Sequence, residues 1–238
     1  MAIFAMSDLH LALSNPEKTM SVFGEGWDNY MERIKTGFEE LVKPGDTVLM
    51  PGDLSWATYI KEAEEDFRFI DNLPGNKIIS RGNHDYWWTT MKKMEATFEE
   101  MGLNTISIAR HNTIEVEGCL ITGTRGWKIP GDDNFTAEDR KIYDREVIRL
   151  GLCLDAVNAA DPDHEKPHVV MLHYPPLTRK AMKGEFSDIL ESNNVDLVVY
   201  GHLHGRAHSK VFEGKKGNTE YKCVAADYCK FRPFQLFS

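Results

Sequence analysis

Five short apolar runs in this chain each stop at aspartate, asparagine or histidine. Residues 2–6 lead into Asp8-Leu9-His10, residues 47–50 into Pro51-Gly52-Asp53, and residues 76–79 into Gly82-Asn83-His84-Asp85. Residues 169–172 lead into His173, and residues 196–200 into Gly201-His202-Leu203-His204. Runs of that length, bounded by turn residues, read as buried strands. Between and after the first three lie helical patterns over 29–42, 59–72 and 89–101; in the first, Tyr30, Ile34, Phe38 and Leu41 recur at helical spacing. This β-α-β-α-β rhythm predicts parallel strands joined by helical crossovers. Ligands of such a sheet gather beyond the carboxyl ends of its strands, so the five polar ends are expected to converge.

The second half has another texture. The β-prone runs 105–108 and 113–116, split by His111-Asn112, predict a hairpin reaching Cys119-Leu120-Ile121-Thr122. A turn-rich segment, 125–135, precedes a helix expected over 136–159 and ended by Asp161-Pro162. Two more strands, near Lys210-Val211-Phe212 and over 221–225, are expected to close the chain. Residues 11–28 are irregular and too long for a plain connection. No internal repeat or linker breaks residues 1–238, which predicts one domain.

Composition removes several classes of function. The 238 residues can bury a sizeable core, and a net charge of −9 offers no basic surface to nucleic acid or an anionic membrane. No apolar run approaches the roughly 20 residues needed to cross a bilayer. The N-terminal run also lacks the basic segment of a signal peptide, so a cytoplasmic chain is expected. Cys119, Cys153, Cys223 and Cys229 show no Cys-x-x-Cys spacing and read as reduced, packed thiols.

A lone Asp-x-His or His-x-His is ordinarily a surface or core feature; five strand ends together are not. In Asp8-x-His10 and His202-x-His204 the two-residue spacing puts both side chains on one face of extended chain. Asp8, His10, Asp53, Asn83, His173, His202 and His204 are seven candidate ligands, more than one ion takes, and suggest two ions. Asp53 is the natural bridge, because a carboxylate can give one oxygen to each metal and an imidazole cannot. Four protein ligands per ion then leave room for water and substrate.

These blocks resemble the calcineurin-like metallophosphoesterase superfamily, in order and from residue 8 to residue 204. The resemblance implies an α/β fold: a four-layer α-β-β-α sandwich, two central mixed β-sheets flanked by helices, with two metals at the strand ends. It assigns Asp8, His10, Asp53 and His204 to the first metal and Asp53, Asn83, His173 and His202 to the second. The ions would be divalent or trivalent transition metals: manganese, iron, zinc, nickel or cobalt. It implies hydrolysis of a phosphomonoester or phosphodiester by a metal-activated water, with His84 as general acid and Asp85 beside it. The chemistry agrees: two metals about 3.5–4 Å apart activate water and clamp oxygens, and imidazole titrates near neutral pH.

There are departures. The serine/threonine phosphatases of that superfamily extend Gly-Asp into Gly-Asp-x-Val-Asp-Arg-Gly, whereas this chain has Gly52-Asp53-Leu54-Ser55-Trp56-Ala57-Thr58. The phosphate-gripping arginine of that branch is therefore missing. Arg81 precedes Gly82 as it does there, and reads as a structural ion pair or a phosphate contact. Trp87 and Trp88 read as core, while Trp27 and Arg125-Gly126-Trp127-Lys128 are candidates for shaping a substrate pocket. His111, His164, His168 and His208 lie outside the blocks. A small phosphoester is the expected substrate. A nuclease and a silent metal-binding scaffold are the alternatives; a scaffold has no use for His84.

Overall fold

The computed structural model describes residues 1–15, 17–18, 20, 24–132 and 134–237. The strands are β1 (Ile3–Ala5), β2 (Thr47–Pro51), β3 (Asn76–Ser80), β4 (Ile106–Ile108), β5 (Ile114–Val116) and β6 (Cys119–Thr124). They continue with β7 (His168–Leu172), β8 (Leu197–Tyr200), β9 (Gly214–Lys216), β10 (Thr219–Cys223) and β11 (Phe234–Phe237). The helices are α1 (Tyr30–Leu41), α2 (Glu64–Asn72), α3 (Met91–Met101), α4 (Ala137–Ala160) and α5 (Glu185–Ser192). One sheet has the order β11-β1-β2-β3-β4, the other β5-β6-β7-β8-β10-β9. The inner strands of both are parallel, and β11, β5 and β9 pair antiparallel at edges, so both sheets are mixed.

Period-two alternation sorts each strand between two cores. Ile3, Ala5, Leu49 and Ile78 of the first sheet meet Ile121, Val169, Met171 and Val199 of the second, making the middle of the sandwich. Their neighbours Phe4, Val48, Met50 and Ile79 face outward and pack on Ile34, Phe38, Phe67 and Met94 of the first three helices. On the other side Val170, Leu172, Val198 and Tyr200 pack on Tyr143, Leu154, Phe186 and Leu190 of α4 and α5. That is the expected four-layer α-β-β-α sandwich. Burying each such side chain contributes roughly 1.5–3 kcal/mol, so residues facing either way from a strand are held. Only the strand ends are free for chemistry.

Local signals explain the boundaries. Thr136 and Asp139 form a reciprocal capping box at the start of α4, each side chain accepting the other's N–H at 3.1 and 3.0 Å. Gly102 ends α3 in the left-handed conformation, φ 69°.

Some expected elements differ. The run 105–108 is not an arm of the hairpin: β4 pairs parallel with β3 in the first sheet, and the hairpin is β5–β6 in the second. The segment expected as a strand near Lys210-Val211-Phe212 ends a 3-10 helix, Gly205–Lys210, and the strand begins at Gly214. Val211 is apolar because it is buried against the second sheet's outer core, not because it is a strand. Helix α5 and strand β11 had no counterpart in the sequence reading.

Candidate metal centre

The strand ends are tied together by backbone before any side chain acts. The N–H groups of Asp8 and His10 donate to the carbonyls of Gly52 and Asp53 at 2.9 and 3.0 Å, and Gly201 donates to His173 at 3.1 Å. Asp8, His10, Asp53 and His202 hold left-handed φ values of 61°, 47°, 54° and 70°. Each such residue costs on the order of 1–3 kcal/mol, which the surrounding contacts must offset. The glycines of the motifs permit close approach: a Cβ on Gly82 would lie 2.0 Å from Asp53 Oδ1, and one on Gly201 the same distance from Asp8 Oδ2.

Two groups of ligating atoms result, Asp8 with His10 and His204, and Asp8 with Asp53 and His173. In the first, His204 Nε2 stands 3.1 Å from Asp8 Oδ1 and 3.3 Å from His10 Nε2. In the second, His173 Nε2 is 3.3 Å from Asp53 Oδ2 and 2.7 Å from Asn83 Oδ1. Asp53 Oδ2 also lies 3.7 Å from His10 Nε2. A single oxygen of Asp53 therefore faces both groups. Its Oδ1 accepts the His84 N–H at 2.8 Å, which refines the expectation of one oxygen for each metal. His202 falls outside the two groups found among the described residues. Its ring packs 5.1 Å from that of His173, and its N–H donates to Asp8 at 3.1 Å.

The electrostatics are those of a cation site. Burial works against charge on both carboxylates, yet the His204 and His173 charges hold Asp8 down at about 2. Asp53 is lowered too, by His173 and then His10 against its burial. Burial would likewise discharge the imidazoles, but the carboxylates raise His173 to about 9 and His204 to about 10. His10 and His202, where burial wins, drop to about 4 and about 3. The protons that balance the two buried carboxylates thus sit on His173 and His204. With four imidazoles, two carboxylates and an amide oxygen converging, the donor set suits borderline transition metals.

Around these residues sits a supporting shell. Asp227 Oδ1 pairs with His204 Nδ1 at 2.8 Å, and its Oδ2 accepts the Gly205 N–H at 3.0 Å and faces His208 at 3.2 Å. The carbonyl of Pro51 pairs with His173 Nδ1 at 3.0 Å. Asp85 is fully buried: its oxygens accept N–H bonds from Gly82, Asp53 and Leu54 at 2.7–2.9 Å and from Trp87 Nε1 at 3.0 Å. It therefore lies beneath the loops that carry Asp53 and Asn83 rather than beside an incoming substrate. His84 is half-buried against Trp56, ring centroids 4.3 Å apart, with a buried Nδ1 that has no partner among the described residues. Trp56, at the position of an aspartate in the protein phosphatases, stacks on His10 at 5.1 Å and 25°. Trp27 is buried with its ring edgewise to His10 and His204, so it walls the centre, and it also lines a neighbouring pocket with Met20 and Tyr30. Residues 16, 19, 21–23 and 133 of the two expected pocket loops lie outside the described residues. Nothing in the sequence marked Asp227, and His208 stood outside the blocks; Trp56 carried a signal, as a departure within a motif.

Fold and site together define an α/β sandwich with a carboxylate–imidazole centre at its strand ends. The chain belongs to the calcineurin-like phosphoesterase family, which it matches over residues 1–206. Solved structures share the fold. Phosphopantetheinyl hydrolase from Mycobacterium tuberculosis is 18% identical with a TM-score of 0.54, over 99% of this chain and 95% of that one. A protein of unknown function from Aquifex aeolicus is 18% identical with a TM-score of 0.51, over 98% and 95%. A protein from Thermus thermophilus is 13% identical with a TM-score of 0.54, over 99% and 97%. No curated protein matches the chain.

Proposed function

We propose that this protein hydrolyses small phosphoesters with two transition-metal ions. The observation that carries the reading is Asp53 Oδ2, placed 3.7 Å from His10 Nε2 and 3.3 Å from His173 Nε2. One carboxylate oxygen joining two imidazole groups is what a shared ligand requires. Asp8, His10, Asp53 and His204 would hold one ion; Asp53, Asn83, His173 and His202 would hold the other. Bound there, such ions lower the pKa of a water and neutralise phosphoryl oxygens.

The chain's own residues do the rest. Asp227 and the Pro51 carbonyl fix the tautomers of His204 and His173 by accepting hydrogen bonds from their Nδ1–H groups, so that Nε2 of each faces the centre. Asp85 positions the ligand loops through backbone bonds. His84 is the general acid for the leaving oxygen. Burial lowers its pKa, with Asp53 opposing, and an arriving phosphate favours the imidazolium further. Trp56 holds the His84 ring in place. Among the described residues no helix is long and apolar enough to cross a membrane. The net charge of −9 supports a small substrate over a polynucleotide.

A hydrolysis screen tests this reading. Mono- and diesters should turn over when manganese, iron, zinc, nickel or cobalt is added, and activity should stop with chelator. Activity that is indifferent to chelator and confined to nucleic acid would overturn it.

A further inference from the structure

Beside the metal centre, the carboxyl ends of β3, β4 and β6 and the middle of α4 enclose a cleft of about 40 Å³. By volume it admits a few heavy atoms. Its walls carry Arg81, Arg110, Arg125, Arg149 and His111 against one carboxylate, Glu146. That carboxylate is fully committed: Oε1 takes Arg125 Nη2 at 3.3 Å and Arg149 Nη1 at 2.5 Å, and Oε2 takes Thr124 Oγ1 at 2.9 Å. Arg110 Nη1 donates to the Thr89 carbonyl at 2.8 Å. The sequence position of Arg81 left two readings open, an ion pair or a phosphate contact, and no ion pair of Arg81 is seen among the described residues. Its Nε, like that of Arg125, is buried without a hydrogen-bond partner among the described residues. Burial and the charges of Arg125 and Arg149 work against its own charge, and Asp85 and Glu146 only partly offset them.

Four guanidiniums around one occupied carboxylate, in a chain of net charge −9, repel one another unless an anion enters. Buried N–H donors with no acceptor carry the same demand. The forked guanidinium geometry suits a tetrahedral oxyanion. The cleft also borders the centre. Arg81 is two residues before Asn83, at most about 7 Å along the chain, and the Arg125 carbonyl accepts the N–H groups of His173 and Tyr174 at 3.1 and 3.0 Å.

We propose that this cleft binds a second anionic group of the substrate, a phosphate or an oxyanion of that size. The substrate class is then small molecules carrying two phosphates, one cut at the metal centre and one gripped by Arg81, Arg125 and Arg149. This rests on the phosphoesterase reading above, and the test separates the two.

The first arm compares propyl phosphate with alkane bisphosphates of three- to six-carbon spacer on the manganese-loaded enzyme. At least one bisphosphate should show a KM about tenfold lower than propyl phosphate. Arg81→Gln and Arg149→Gln should each remove most of that advantage, read as the ratio of the two KM values within each variant. Equal KM values in the native enzyme, or a variant that raises both KM values alike, overturns the proposal. The second arm needs no turnover: calorimetric titration of inorganic sulfate into the metal-free protein at low salt. Sulfate should bind, and Arg149→Gln, on α4 and away from the ligand loops, should weaken that binding about tenfold or more. Unchanged sulfate binding in Arg149→Gln overturns the cleft. If sulfate binding behaves as expected and no phosphoester is hydrolysed, the phosphoesterase reading fails instead.

Discussion

Replacing Asp227 by asparagine isolates the support of one metal site. The carboxylate pairs with His204 Nδ1 at 2.8 Å and is mostly buried, and Oδ2 also takes the Gly205 N–H at 3.0 Å. Asparagine keeps the shape and one acceptor but loses the charge. A hydrogen bond to a charged group is worth about 1.5–3 kcal/mol, against about 0.5–1.5 for a neutral one. The difference, about 1–2 kcal/mol, is roughly a tenfold loss of affinity or somewhat more, at the lower end of the 10–100-fold range for outer-shell partners. A second effect has the opposite sign. Asp227 helps raise His204 to about 10 in the metal-free protein, so a proton competes with the metal at neutral pH. Without Asp227 that competition weakens, and part of the loss is hidden. The deficit should therefore be larger near pH 8.5 than near pH 6.5. Competitive titration with a fluorescent chelator at both pH values resolves the two sites. The site built on Asp8, His10 and His204 should weaken while the other keeps its affinity. Equal weakening of both sites, or none at either pH, would refute the reasoning.

Other outcomes follow from the same geometry. His84→Ala should keep both metals and lose about 10²–10⁴-fold in kcat on alkyl phosphoesters, but less on nitrophenyl esters, whose leaving group needs no proton. Parallel losses on both, at unchanged metal content, would mean that His84 orients phosphate instead. Metal-free protein should release on the order of two protons per chain on loading near pH 7, because His173 and His204, raised to about 9 and about 10, must be neutral to ligate. Calorimetry in buffers of different ionisation enthalpy reads that number, and zero would contradict it. The sign for the metal-free fold is fixed as well. These two histidines contribute stability that is fully present below pH 6.5 and lost as pH rises through about 9 to 10. Gly82→Ala, whose Cβ would sit 2.0 Å from Asp53 Oδ1 and 2.3 Å from Asp53 N, should lower manganese content along with thermal stability. Full metal content in that variant would show that the loop yields.

The candidate ligands were legible because their signal is local. An apolar run that stops at Asp8, Asp53, Asn83 or His173 marks both a strand and its polar end within a few residues. Asp227 has no such signature. Its partner His204 is 23 residues away, and the pairing exists only once β8 and β10 lie side by side. Strand β4 was misplaced for a related reason. Residues 105–108 and 113–116 have the same β-prone texture, and only α3 packing its crossover over β3 sends the first to one sheet and the second to the other. The family resemblance put Asp85 beside His84, yet its side chain points into the loop backbone, which sequence neighbours do not reveal. Strand β11 is one short edge strand that, among the described residues, pairs only with β1, far away in sequence.

The most direct test of the central claim is the metal stoichiometry of the intact chain. Protein stripped with chelator, reconstituted with manganese and desalted should carry two ions per chain by elemental analysis. Asp53→Asn, which weakens the one oxygen facing both groups, should leave less than one. A native protein that never exceeds one ion, or an Asp53→Asn variant that retains two, would contradict the two-metal account.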